Sequence, residues 1–164
     1  MKKYKIGMYG GKFMPFHKGH RYCVEVASSE CEKVYVILFF GGADEMKVLE
    51  NNKDEYLSVE KRKKKVIELC KNYDNCIPTF IDVSNLRLPN GEEDWDAETP
   101  LVRNVVGDYL DAVYSSEISY DPYFKRAYPE AVHRIVDYKR IKYPISGTMI
   151  RNMKTEKEKD LWRI

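Results

Sequence analysis

Residues 4–20, YKIGMYGGKFMPFHKGH, decide the fold. The first six, YKIGMY, are apolar enough for a short buried strand. Gly10 and Gly11 are predicted to end that strand, because glycine allows a tight turn and the close approach of a ligand. A helical pattern then runs over 18–29. A strand, a glycine turn and a helix start together predict the first half of a parallel βαβ unit.

The rest of the chain repeats this alternation of strands and helices. Residues 34–40, VYVILFF, are apolar throughout, as expected of a strand covered on both faces. Further strands are predicted at 77–83, 112–115 and 132–138, and further helices at 58–71, capped by Ser58, and at 99–109, with Pro100 in the first turn. The polar residues 85–98 are predicted to form a long surface loop. The sequence therefore predicts an α/β fold with a doubly wound, Rossmann-like sheet of five parallel strands.

Composition narrows the class of protein. The 164 residues fit one domain, 1–164, and 43% of them are hydrophobic. Lys and Arg total 28 against 26 Asp and Glu, so the net charge of +2 predicts no nucleic-acid partner. We expect neither a signal peptide nor a membrane span. The four cysteines form no Cys-x-x-Cys pair, and we expect reduced thiols in a cytoplasmic protein.

The first candidate site follows strand one. His17 and His20 are three residues apart, so they share a face at a helix start. Gly19 leaves room between them, and a helix N-terminus favours anions. The pattern predicts a phosphate site. Taken alone, the histidine pair would equally suit an exposed helical turn or a metal pair, but no third metal ligand lies at a useful spacing.

The second candidate site is Ile145-Ser146-Gly147-Thr148-Met149-Ile150-Arg151, near the C-terminal end. Ser146 is a good N-cap and Gly147 allows close approach. The Thr148 hydroxyl and the Arg151 guanidinium, three residues apart, suit phosphate oxygens. In isolation the segment would also fit an ordinary capped helix with a solvated arginine.

These two segments resemble the two signatures of the nucleotidylyltransferase superfamily, His-x-Gly-His and Ile-Ser-x-Thr-x-x-Arg. The resemblance implies the HUP-type fold of that superfamily, with a nucleotide bound outside the carboxyl ends of the strands. It implies catalytic roles for His17, His20 and Lys12. The residues that it implies for nucleotide binding are Gly10, Gly11, Phe13, Gly19, Ser146, Thr148 and Arg151.

Further segments are similar to the adenylyltransferase domain of the bacterial bifunctional NAD-biosynthesis regulator family. They are Gly11-Lys12-Phe13, Asp94-Trp95-Asp96, Ser115-Ser116-Glu117 and Pro144 before the second signature. This similarity implies ATP and nicotinamide mononucleotide as substrates, with Mg²⁺ carried by the phosphates and few protein ligands. It places Trp95 against the nicotinamide ring, and a loop anchor is the alternative. Asp44, Ser116 and Glu117 are further substrate-binding candidates, although Asp44 would equally suit a solvated loop.

Several alternatives stay open at this point. Another transferase of the superfamily, a cytidylyltransferase or a pantetheine-phosphate adenylyltransferase, would carry the same signatures, and so would a non-catalytic nucleotide sensor. The regulator family has a kinase domain after the adenylyltransferase, whereas this sequence ends soon after the second signature, and no helix-turn-helix region precedes strand one. We therefore expect neither kinase nor repressor activity. A homo-oligomer is one option for the assembly, and the choice between nicotinamide and nicotinate mononucleotide is open.

Overall fold

The structure is a computed structural model that describes all residues, 1–164. Five parallel strands form one sheet in the order β3-β2-β1-β4-β5. The strands are β1 (Tyr4–Gly11), β2 (Cys31–Phe40), β3 (Cys76–Asp82), β4 (Ala112–Ser115) and β5 (Val132–Ile135). The α-helices are α1 (Lys18–Glu30), α2 (Ala43–Glu50), α3 (Val59–Cys70), α4 (Trp95–Val106), α5 (Asp121–Ala127), α6 (Gly147–Arg151) and α7 (Glu156–Asp160). The predicted doubly wound α/β fold is confirmed.

Both faces of the sheet are buried, which explains the unbroken apolar run of β2. Val34, Val36 and Leu38 point into the larger core cluster, which α1 and α3 cover. Ile37 points to the opposite face, into a second cluster built with α4. Because side chains alternate along a strand, a strand between two helical layers needs apolar residues at every position. The predicted cap of α3 is also confirmed, since the Ser58 hydroxyl accepts a hydrogen bond from the backbone N–H of Lys61.

The prediction that Gly10 and Gly11 end the first strand is wrong. Both lie inside β1, paired with Ile37 and Leu38 of β2. Their lack of a side chain serves packing instead of a turn. A Cβ at Gly10 would approach the Phe39 ring to 2.5 Å, and one at Gly11 would approach the Phe13 ring to 2.8 Å. Other strand limits shift by up to three residues: β2 begins at Cys31 instead of residue 34, and β5 stops at Ile135 instead of residue 138.

The predicted loop at 85–98 and the predicted helix at 99–109 also need correction. Helix α4 begins at Trp95, because the Asp94 carboxylate caps it by accepting from the Ala97 N–H at 3.1 Å. Pro100 therefore lies inside the helix and not in its first turn. Trp95 is thus held at a helix start instead of in a loop.

The strand order places a topological switch point between β1 and β4. From β1 the chain continues to β2 and β3 on one side, then crosses to β4 and β5 on the other. In open parallel sheets, ligands bind in the crevice at such a point, outside the carboxyl ends of the strands. None of the helices is both long and apolar enough to cross a membrane. The four cysteines are buried and unpaired.

Candidate active site

A cavity of ≈ 350 Å³ lies at this switch point, over the carboxyl ends of β1 and β4. A second cavity, of ≈ 280 Å³, adjoins it toward α6 and shares several lining residues with it. The shared residues are Lys12, His20, Asp44, Glu117, Arg140, Ser146 and Gly147. The two cavities together form one elongated site of the kind that binds small molecules.

The two signature histidines meet in this site. Their rings stack with centroids 3.5 Å apart and an interplanar angle of 23°. His17 is the N-cap of α1, and its Nδ1 accepts from the Gly19 N–H at 3.0 Å. His20 Nδ1 accepts from the backbone N–H of His17 at 3.1 Å. Both rings are therefore fixed by backbone donors at the same nitrogen.

These contacts determine the protonation state of both rings. Because Nδ1 accepts in each ring, the proton of the neutral imidazole must be on Nε2. Burial, followed by the positive charge of Arg140, lowers the pKa of His17 to about 3. Burial, followed by the charges of His17 and Arg140, keeps the pKa of His20 well below its ordinary value. The pair therefore offers two neutral Nε2–H donors.

The expectation that the N-terminus of α1 presents free N–H groups to a phosphate needs correction. The Lys18 N–H donates to the carbonyl of Trp162 at 3.0 Å, and the Gly19 N–H donates to His17. The C-terminal segment thus uses one of these donors, and the N-cap imidazole uses another. The hydrogen-bond donors that remain for an anion are mainly side chains.

The glycines and Phe13 of the first signature differ in where they lie. Gly10, Gly11 and Gly19 line the main cavity. Phe13 lines neither cavity: it is 2% exposed and packs edge-on against His20, with ring centroids 4.9 Å apart. Phe13 is thus placed to support His20 and not to contact a ligand.

The second signature forms the short helix α6, as its cap predicted. The Ser146 hydroxyl accepts from the Met149 N–H at 3.1 Å. Arg151 donates to the carbonyl of Met14 at 2.7 Å and to the Thr148 hydroxyl at 3.1 Å. Thr148 and Arg151 line the second cavity only, whereas Ser146 lines both. The structure therefore brings the two signatures together at the junction of the two cavities.

Lys12 lies between acidic side chains. Its Nζ is 3.3 Å from Glu93 Oε1 and 3.9 Å from Asp44 Oδ2. The Asp44 side chain is largely exposed at the cavity rim, while the Glu93 side chain is buried. Arg62 of α3 is fully buried: it pairs with Glu45 at 2.5 Å and donates to the Lys12 carbonyl at 2.9 Å. The backbone of Lys12 is therefore held by a buried ion pair.

Arg140 is a site residue that the sequence analysis missed. It lines both cavities, donates to the Ile145 carbonyl at 2.8 Å and pairs with Glu117 Oε1 at 2.8 Å. Its position after β5, six residues before Ser146, was the available signal, since all five strands end at this edge of the sheet. Glu117 and Ser116, both predicted, line the main cavity beside it.

Ser115 and His133 were also missed. Ser115 Oγ lies 2.6 Å from His133 Nε2, and His133 Nδ1 lies 2.9 Å from Asp121 Oδ1. The pairing of β4 with β5 sets Val113 beside His133 and Tyr114 beside Arg134. These two hydrogen bonds fix the rotamer of Ser115, which lines the cavity at the end of β4. Only the pairing of β4 with β5 would have revealed the contact between Ser115 and His133.

Trp95 lines the main cavity from the start of α4. Two tyrosine rings contact it edge to face: Tyr120 at 5.1 Å and Tyr123 at 5.2 Å between centroids. Phe124 and Tyr128 complete an aromatic wall. The cavity is therefore cationic and donor-rich near α1 and α6, and aromatic near α4 and α5.

The site shows no protein-only metal centre. No group of three or more His, Cys, Asp or Glu side chains is arranged to hold a metal ion. The carboxylates that line both cavities, Asp44 and Glu117, belong to no such group. Single carboxylates suit an ion that is coordinated mainly by phosphates and water, as Mg²⁺ often is.

A family model described as cytidylyltransferase-like matches residues 8–153. The chain therefore belongs to this family, within the nucleotidylyltransferase superfamily that the two signatures indicated. The trifunctional NAD biosynthesis/regulator protein NadR of Escherichia coli is 28% identical over 153 residues, which cover 92% of this chain and 37% of that protein. The chain thus spans little more than a third of the length of this relative.

Two solved structures share the fold. A NadR protein in complex with NAD and AMP-PNP aligns with a TM-score of 0.61 at 24% identity, over 92% of this chain and 43% of that one. A bifunctional NMN adenylyltransferase/ADP ribose pyrophosphatase from Francisella tularensis, complexed with AMP and a manganese ion, aligns with a TM-score of 0.57 at 22% identity, over 90% of this chain and 40% of that one.

Proposed function

We propose that the protein transfers the adenylyl group of ATP to nicotinamide mononucleotide, giving NAD and pyrophosphate. The observation that carries this proposal is the polarity of the elongated cavity: donors and cations from both signatures at one end, and the aromatic wall around Trp95 at the other. A phosphate at one end and a flat pyridinium cation at the other would match this arrangement.

The relatives support the same choice. The E. coli relative is named for NAD biosynthesis, and the Francisella enzyme is named as an NMN adenylyltransferase. The NadR structure holds NAD and AMP-PNP, and the Francisella structure holds AMP and a manganese ion.

In this reaction a phosphate oxygen of nicotinamide mononucleotide attacks the α-phosphorus of ATP in line. The new P–O bond forms as the bond to the bridging α–β oxygen breaks, and pyrophosphate leaves. The attacking phosphate is already a nucleophile, so the protein needs to position the reactants and stabilise charge. We assign the Nε2–H groups of His17 and His20 to oxygens of the α-phosphate, with Arg140 as the neighbouring charge.

The second cavity suits the outer phosphates. Ser146, Thr148 and Arg151 line it, and Lys12 and Arg140 border it. A divalent ion, when bound, supplies positive charge to the triphosphate. Asp44 and Glu117 are the carboxylates of the shared wall that would hold its water shell.

A product assay tests the proposal. The protein is incubated with magnesium and either ATP or CTP against nicotinamide mononucleotide, phosphocholine, glycerol phosphate and phosphopantetheine, and the products are separated by chromatography. We expect NAD and pyrophosphate from ATP and nicotinamide mononucleotide. Phosphocholine is the sharpest rival, because an aromatic wall also suits a quaternary ammonium. A product from CTP and phosphocholine alone would replace the proposal, and binding of ATP without any product would favour a nucleotide sensor.

A further inference from the structure

Two buried glutamates flank Trp95 in the wall of the main cavity. The Glu93 side chain is 5% exposed and Glu98 is 6% exposed. Each has an Oε1 atom that is buried without a hydrogen-bond partner. Glu93 Oε1 lies 3.3 Å from Lys12 Nζ, at ion-pair distance but without the alignment of a hydrogen bond. Buried, unpartnered acceptors in a cavity wall indicate that a ligand supplies their partners.

The Glu98 carboxyl is protonated near neutral pH. Burial, followed by hydrogen bonding to Glu93 and the charge of Glu93, raises the pKa of Glu98 to about 9, and Lys12 acts against this shift. The other titratable groups that face the pair are Asp44 near Lys12, Asp94 at the N-cap of α4, Tyr120, and Tyr123 of α5. Burial and a neighbouring carboxylate both disfavour the charged form of a carboxyl group, so Glu98 keeps its proton.

Such a pair complements a carboxamide and opposes a carboxylate. The Oε1 atoms that lack partners accept hydrogen bonds from the NH₂ group of a carboxamide. A carboxylate has no donor and carries a negative charge, so it would leave the acceptors unpaired and meet a like charge. A pyridine ring lying on Trp95 would bring its substituent toward these two residues, because they lie two positions before and three positions after Trp95.

We propose that Glu93 and Glu98 are the specificity-determining residues for the acceptor, admitting a pyridine carboxamide and excluding a pyridine carboxylate. This inference rests on the proposed function, because it concerns the acceptor end of the same site. Residues 85–98 were predicted as a polar surface loop, so the sequence alone concealed both buried carboxyls.

The test compares nicotinamide mononucleotide with nicotinate mononucleotide as acceptors. For the unmodified protein we expect kcat/KM to favour the carboxamide by at least about 100-fold, the scale expected when a buried charge is left unpaired. Glu93→Gln removes the ionised partner. We expect it to lower the ratio of kcat/KM for the carboxamide to kcat/KM for the carboxylate by about tenfold or more. Glu98→Gln imitates the protonated carboxyl and should largely keep the ratio. The KM for ATP should stay nearly constant in both variants.

Glu92→Gln is the matched control, since it makes the same chemical change at an exposed neighbour that lines neither cavity. The inference is wrong if the kcat/KM values of the unmodified protein for the two acceptors differ by less than about tenfold. It is also wrong if folded Glu93→Gln leaves the ratio of these values unchanged. Either result would leave the proposed function standing. If neither acceptor gives its product, NAD or the nicotinate analogue of NAD, both the proposed function and the inference are wrong.

A binding measurement covers the case in which Glu93→Gln does not fold. Quenching of tryptophan fluorescence in the unmodified protein should show nicotinamide riboside binding at least about tenfold more tightly than nicotinate riboside. Equal affinities would overturn the inference without any variant.

Discussion

At the scale of single residues, the role that we propose for the two histidines depends on geometry and not on charge. Each imidazole is neutral and fixed at Nδ1 by a backbone N–H, so each directs an Nε2–H in one direction. Donors that need no reorientation stabilise developing charge more effectively than mobile ones. Phe13 and Phe16 contact the His20 ring edge-on and restrict it further.

Replacing His20 by Asn separates its two roles. The Asn amide oxygen can still accept from the His17 N–H, but it has no group at the position of Nε2–H. We expect kcat to fall by about 10² to 10³, the cost of one preorganised donor, with a small change in the KM for ATP. Steady-state kinetics and a circular dichroism check of folding decide the outcome. A folded variant with near-normal kcat would rule out the role of His20.

Trp95 should matter to one substrate only. It lines the acceptor end of the main cavity and is absent from the second cavity, where we place the outer phosphates of ATP. If it stacks on the pyridinium ring, Trp95→Ala should raise the KM for nicotinamide mononucleotide severalfold to about 100-fold, by analogy with base stacking worth about 1–3 kcal/mol. Trp95→Phe, which keeps an aromatic face, should recover most of this loss. Equal losses for both substrates would make Trp95 a structural anchor of α4.

At the scale of elements, the site depends on the contact between the β1–α1 connection and α6. Gly147 is the point of closest approach: a Cβ there would lie 2.7 Å from the Met14 carbonyl oxygen and 3.1 Å from Arg151 Nη1. Arg151 bonds that same carbonyl, so the guanidinium and the glycine share one partner. The two signatures are therefore one structural unit, although they lie far apart in the sequence.

Gly147→Ala should damage this contact. The added methyl must displace backbone, because the atom it meets belongs to the main chain, and overpacking of this kind typically costs about 1–3 kcal/mol. We expect a lower Tm and a higher KM for ATP, with the KM of the acceptor less affected. Thermal denaturation and kinetics with each substrate varied in turn check this. An unchanged KM for ATP would show that α6 does not contact the nucleotide.

The elements also show how far sequence reasoning reached. The strands were found because a sheet covered on both faces demands apolar runs such as that of β2. Helix α4 was placed four residues late, because Pro100 seemed to mark a first turn while the cap was supplied by Asp94. Arg140 and His133 act through partners distant in the chain, Glu117 and Ser115, and no local pattern announces such contacts.

At the scale of the whole molecule, the near-neutral net charge conceals paired charges inside the site. The total is only +2, yet Arg140 pairs with Glu117 and Lys12 pairs with Glu93 in the walls of the cavity. Composition gave no sign of the buried carboxyl pair, because burial depends on the tertiary position of α4.

The buried pair should also make the stability of the whole fold depend on pH. The pKa of Glu98 is raised from its ordinary value of 4.5 to about 9, by burial and then by Glu93. Between these two pH values the folded protein holds a proton that the unfolded chain releases, so this group lowers the free energy of unfolding as pH rises. The slope from one group is at most about 1.4 kcal/mol per pH unit.

Glu98→Gln isolates this effect, because glutamine imitates the protonated carboxyl at every pH. We expect the Tm of the variant to match that of the unmodified protein near about pH 5 and to exceed it increasingly toward about pH 8. Differential scanning calorimetry over this range measures the difference directly, and the contributions of other titrating groups cancel in it. Glu92→Gln, at an exposed site, should follow the unmodified protein throughout. A Tm difference that stays constant with pH would mean that Glu98 is ionised in the folded protein and that the pair holds no proton.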